Sequence, residues 1–93
     1  MATHAEIAND MAAQARYWQG RDLLVERACR DAAHMLRSFI EGKRVDGRTY
    51  GGLHSRLLNL ELSKRHKQPD LSFKLDRARL ALEALNCRAR ADG

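Results

Sequence analysis

A chain of 93 residues, 44% hydrophobic and 31% charged, has the make-up of one folded domain and is too short for a second core. No stretch nears the ~18 consecutive apolar residues of a membrane span, and Met1-Ala2-Thr3-His4-Ala5-Glu6 lacks the basic start and apolar run of a secretory signal. Cys29 and Cys87 show no disulfide-framework spacing. The expectation is a single domain over 1–93, cytoplasmic, not bound to a membrane, with both thiols reduced.

Aromatic residues make up only 5% of the chain, so the core must come from Leu, Ala, Met and Ile, a set that favours helices. Thr3 followed by Glu6 is a capping-box signal, and Ile7, Met11, Ala15 and Trp18 recur behind it at helical spacing. This predicts a helix over 4–19. Gly20 suits a C-terminal stop, but a single Gly costs only ~1 kcal/mol inside a helix, so one bent helix over 4–41 is the alternative. With a break at Gly20, Asp22 caps a second helix over 22–41. Its stripe of Val25, Cys29, Ala32, Leu36 and Phe39 is widened by Ala28, Met35 and Ile40, and Gly42 ends it.

Residues 42–52 form the clearest interruption, with four glycines and the Asp46-Gly47 turn pair. Thr49 is the expected cap of a third helix over 50–66, carried by Tyr50, Leu53, Leu57 and Leu60. Leu58 and Leu62 spread its apolar surface, which places this helix deep in a core or against a second subunit. Lys64-Arg65-His66-Lys67 sets cations at its C-terminal end, where the helix dipole favours them, and Pro69 blocks continuation. Asp70 or Ser72 then caps a fourth helix over 70–88, whose stripe of Leu71, Leu75, Ala78, Leu82 and Leu85 is the cleanest in the chain. Phe73 and Leu80 fall off that stripe, and the tail from Arg88 to Gly93 is expected to fray. The predicted fold is all-α, a bundle of about four helices, with homodimerisation through Leu58 and Leu62 as the means of covering surplus apolar surface.

Chemistry finds little to work with. Cys29 and His34 are five apart and so not on one helical face, and His4, His34, His54 and His66 include no pair at the i, i+4 spacing of a shared ligand face. No CxxC or phosphate-loop pattern occurs. The glycine-rich segment mixes Lys43, Arg44 and Arg48 with a flexible backbone, but no strand precedes it, and a plain helix connection accounts for it. Neither catalytic residues, nor a cofactor, nor a metal site is expected.

Charge carries the functional expectation. The net charge is +5, and residues 1–46 hold seven Lys and Arg against seven Asp and Glu, while 47–93 hold ten against five. An acidic partner is implied, attracted by the second half. The primary expectation is a non-catalytic protein, of the accessory or phage-regulator kind, that docks on an acidic protein face and modulates or inhibits that protein. The partner-binding residues would be Lys43, Arg44, Arg48, Tyr50, Arg56, Lys64, Arg65, Phe73, Lys74, Arg77 and Arg79. The alternative is a DNA-binding regulator with a helix-turn-helix over Leu60–Leu82, reading the groove through Lys74, Arg77 and Arg79. Against it stand a turn without glycine, an apolar third helix, and few Asn, Gln or Ser side chains to read bases.

Overall fold

A computed structural model describes residues 2–92, among which lie four α-helices and no strand: α1 (His4–Trp18), α2 (Leu23–Ile40), α3 (Gly47–Lys64) and α4 (Pro69–Asp92). The all-α expectation holds. Thr3 accepts from the Glu6 amide at 3.1 Å while the Glu6 carboxylate accepts from the Thr3 amide at 3.2 Å, the reciprocal cap that starts α1. Gly20 adopts φ +77, a left-handed conformation that no helix interior accommodates, so α1 and α2 are two helices and not one bent rod. Asp22 opens α2 by accepting from the Val25 amide at 3.3 Å. At its far end Gly42, with φ +76, allows the Gly42 amide to reach the Phe39 carbonyl (3.1 Å) and the Lys43 amide to reach the Ser38 carbonyl (2.9 Å).

Two boundaries differ from the sequence expectation. α3 begins at Gly47 and not at 50, because Asp46 is the cap in place of Thr49: its carboxylate accepts from the Thr49 amide (3.3 Å) and hydroxyl (3.4 Å). That cap and the burial of Leu53 and Leu57 outweigh the ~1 kcal/mol that each helical glycine costs. α4 begins at Pro69, which loses nothing at a first helical position because no amide hydrogen bond is made there. Asp70 and Ser72 therefore lie inside the first turn and cap nothing. The buried Ser72 hydroxyl instead donates to the Glu61 carbonyl of α3 at 2.9 Å, and α4 continues to Asp92, through the segment expected to fray.

Side-chain bonds fix the topology. Arg37 reaches Asn9 between α2 and α1, and Arg56 and Lys64 reach Asp31 and Asp22 between α3 and α2. Arg79 and His54 join α4 and α3 through Glu61 and Glu83, while Arg77 reaches Asp10 of α1. Between α2 and α3, and between α3 and α4, one sequence number rises as the other falls, and the short α1–α2 connection also reverses the chain, so the bundle runs up, down, up, down. α2 and α4 also touch across its diagonal, whereas α1 and α3 do not. The fully buried Ala28, Ala32 and Ala78 supply the small side chains that let helix axes approach closely.

α2 thus faces three neighbours and α3 only two, which reverses the expected burial. α3 buries Leu53, Leu57 and Glu61, leaves Leu58 and Leu60 half-buried and exposes Leu62. The predicted stripes of α2 and α4 are otherwise in place, apart from a half-buried Phe39 and an exposed Ile40. Met11, Leu36, Leu57, Leu75 and Leu82 are fully enclosed, and the radius of gyration of 12.5 Å is about that of one domain of this length.

Cys29 sits at zero exposure, where burial, reinforced by Asp10 and opposed by Lys74, pushes its thiol up to about 12. Cys87 is exposed. A maleimide should therefore label Cys87 in the native protein within minutes and Cys29 only after unfolding. Equal labelling of both would mean that the register of α2 is wrong.

Candidate functional site

The cations expected to form one surface are spread over several faces, and most are engaged within the chain. Lys43 pairs with Glu41 (2.9 Å), Arg56 with Asp31 (2.9 Å) and Lys64 with Asp22 (3.1 Å). Arg77 lies 2.8 Å and Lys74 3.9 Å from Asp10 of α1. Arg79 is the most committed, reaching Glu61 (3.1 Å), Asp76 (2.6 Å) and Glu83 (3.0 Å) with only 15% of its side chain exposed. Of the nine, Arg44, Arg48 and Arg65 form no ion pair among the described residues, and Arg65 lies at the opposite end of the bundle from the other two.

This pairing changes what the charge asymmetry means. Residues 1–46 are neutral in sum, yet their Asp10, Asp22 and Asp31 neutralise cations of the second half. Their own Arg16, Arg21, Arg27 and Arg37 are left exposed and without an ion pair among the described residues. Positive potential is therefore distributed over the whole molecule.

Along the seam between α3 and α4, His54 Nε2 lies 2.5 Å from Glu83 Oε1. The hydrogen bond from His54 holds the Glu83 carboxyl below its ordinary value; burial opposes this, and the charges of His54 and Arg79 add to it. Tyr50 is half-buried with its ring centroid 5.7 Å from that of His54, and burial, helped by Glu83, raises its phenol. Tyr50 therefore belongs to this seam more than to a free contact surface. No group of three or more His, Cys, Asp or Glu among the described residues is placed to hold a metal ion.

The same seam determines how α3 and α4 are presented. Gly47 lies beside the Arg90 guanidinium, His54 meets Glu83, and Glu61 meets both Arg79 and Ser72, so the helices stay in contact side by side from one end to the other. A helix-turn-helix pair crosses at about 90–120° and frees its second helix for the groove. Here that helix is held by α3, α2 and α1.

What stands free is apolar. Among the described residues, seven large hydrophobic side chains are exposed, and five of them, Tyr17, Leu23, Leu24, Leu62 and Phe73, lie at the end of the bundle that carries the α1–α2 and α3–α4 connections. Leu24 is 69% and Phe73 64% exposed. Arg21, Arg65 and Lys67 are exposed at the same end, Arg21 stacking over the Tyr17 ring at 4.7 Å. Of the residues expected to bind a partner or a second copy, this end gathers Arg65, Phe73 and Leu62 but not Lys43, Arg44, Arg48, Tyr50 or Arg56. Leu23, Leu24 and Tyr17 were missed because the two leucines sit in the first turn of α2, ahead of its buried stripe, and Tyr17 is adjacent to the stripe residue Trp18.

At the other end, the connection between α2 and α3, the start of α1 and the last turns of α4 enclose an open cleft of about 1060 Å³. No helix among the described residues is long and apolar enough to cross a membrane. No known protein family, curated protein or solved structure matches the chain.

Proposed function

We propose that this chain is a non-catalytic, cytoplasmic docking module that binds an acidic face of another protein and modulates that protein's activity. The observation that supports this reading is the apolar end: Leu24, Leu62 and Phe73 are all exposed near the end of the bundle that also carries the exposed Arg21, Arg65 and Lys67. Apolar anchors inside a charged rim are the anatomy of a specific protein interface, where the anchors supply affinity and the rim supplies rate and orientation. A second copy is a poorer occupant, since a two-fold contact through this end would bring Arg21, Arg65 and Lys67 of both molecules together. Base reading through Lys74, Arg77 and Arg79 is also less well supported, because each would first have to leave an internal carboxylate.

The test is affinity capture from lysate of the native host, with and without nuclease, using the wild type and a Leu24→Asp/Phe73→Asp variant. Both positions are exposed, so the variant should keep its helical circular dichroism. The expected result is one partner protein retained after nuclease and lost, by at least tenfold, in the variant. Capture that disappears with nuclease, or a partner that the variant binds equally well, overturns the reading. A concentration-dependent dimer that Leu62→Asp dissociates would give the apolar end to a second copy instead.

A further inference from the structure

The cleft at the opposite end has a second and different chemistry. Its rim carries four cations: Lys43 and Arg44 from the connection after α2, and Arg88 and Arg90 from the last turns of α4. Phe39, Ile40 and Leu85 give it apolar surface beside these cations. No carboxylate side chain among the described residues lines it. Of the acids in the connection after α2, Glu41 pairs with the rim cation Lys43, and Asp46 caps α3. Arg44, Arg88 and Arg90 form no ion pair among the described residues, and the Arg90 guanidinium reaches over Gly47, where a Cβ would stand 3.5 Å from it. Three such guanidiniums on one cleft repel one another, and an anionic occupant relieves that repulsion.

The shape and lining select among anions. A small amphiphile is ordinarily enclosed over 70–90% or more of its surface, and this cleft is broad and open to solvent, so it suits a segment of something larger. A nucleic-acid duplex is about as wide as the whole 25 × 20 Å cross-section of the molecule and would touch only the rim. A single strand binds by stacking its bases on a run of exposed aromatic rings, and among the described residues the cleft offers only two half-buried ones, Phe39 and the imidazole of His4. A peptide that alternates carboxylates with apolar side chains meets both kinds of surface at once.

We propose that this cleft binds an acidic, amphipathic peptide segment, whose carboxylates engage Arg44, Arg88 and Arg90 while its apolar side chains rest on Phe39, Ile40 and Leu85. The site is separate from the apolar end, so the molecule has two docking surfaces about one bundle length apart and is built to hold two partners, or two parts of one partner, together.

The test is fluorescence anisotropy with a labelled 12-residue peptide of alternating Glu and Leu. Controls of equal length are a peptide of Glu and Ser, one of Lys and Leu, and a single-stranded oligothymidine. The Glu–Leu peptide should bind at least tenfold more tightly than any control. Arg88→Ala/Arg90→Ala, exposed positions whose loss leaves the core intact, should weaken it at least tenfold, and Arg44→Ala severalfold. Amide resonances of Gly42 and Gly47 should shift on titration of the wild type. Leu24→Asp/Phe73→Asp should bind the peptide as the wild type does, so the failure of one docking surface is distinguishable from the failure of the other. Tighter binding of the oligothymidine, equal binding of the Glu–Ser peptide, or unchanged binding by Arg88→Ala/Arg90→Ala each overturns the proposal.

Discussion

Arg79→Ala should cost the bundle about 2–3 kcal/mol, although Arg79 lies off the apolar core. Its guanidinium joins three carboxylates, and one of them, Glu61, is itself buried with 9% of its side chain exposed. Removing one partner of a fully buried pair costs ~3–5 kcal/mol because the other charge is left without compensation, and the 15% of Arg79 still in water lowers that figure. Replacing Arg79 with Met and Glu61 with Leu together should recover most of the loss, since the burden is the stranded charge and not the missing attraction. The pH dependence supplies an independent reading. Glu83 has its folded value depressed, first by the His54 hydrogen bond and further by Arg79, so it contributes stability above its ordinary value of 4.5, and that contribution is lost as pH falls through the lower folded value. Without Arg79 the gap between the folded and unfolded values narrows. Urea unfolding at pH 7 and at pH 3 should therefore show a smaller acid-induced loss in Arg79→Ala than in the wild type. A variant as stable as the wild type at pH 7 would mean that the seam between α3 and α4 is solvated and contributes nothing.

Helix existence was legible in the sequence because apolar spacing of three and four needs no tertiary knowledge: every member of the Leu71–Leu85 stripe is buried. Helix depth was not. Leu53, Leu57, Leu58, Leu60 and Leu62 wind around α3 and suggest a buried rod, but α2 and α4 meet across the diagonal and α3 is left with only two neighbours to cover it. The start of α3 was hidden because Gly47, Gly51 and Gly52 obscured a strong cap at Asp46. The site was less legible still. Counting charges along the chain treats Arg77 and Asp10 as independent, and they are bonded across 67 positions. Lys64 and Asp22 are bonded across 42. Arg88 and Arg90, set aside as a fraying tail, become half the rim of a cleft once α4 persists to Asp92. Pairing is a property of the fold, and net charge by segment does not contain it.

Leu36→Ala should be the most damaging single truncation, at about 3 kcal/mol. Leu36 is fully buried on α2, which like α4 packs against all three other helices, and a leucine-to-alanine change in such a place costs ~2–5 kcal/mol depending on how far the surroundings collapse. Collapse is limited here, because the neighbouring Ala32 and Ala33 are already small and α2 is braced from three sides. A domain of this length has a total stability of roughly 5–14 kcal/mol, so the change removes about a fifth to three fifths of it and should lower Tm by about 10–25 °C. Leu36→Met, which keeps the volume, should cost less than ~1.5 kcal/mol. Leu24→Ala, on the same helix but 69% exposed, should stay within about 0.5 kcal/mol of the wild type. Leu24→Ala should then separate what the two leucines do, weakening partner capture at unchanged Tm, whereas Leu36→Ala loses Tm first and capture only as the fold is lost. If the two variants shifted Tm equally, α2 would be rotated from the register described, and Leu24 would belong to the core instead of to the docking end.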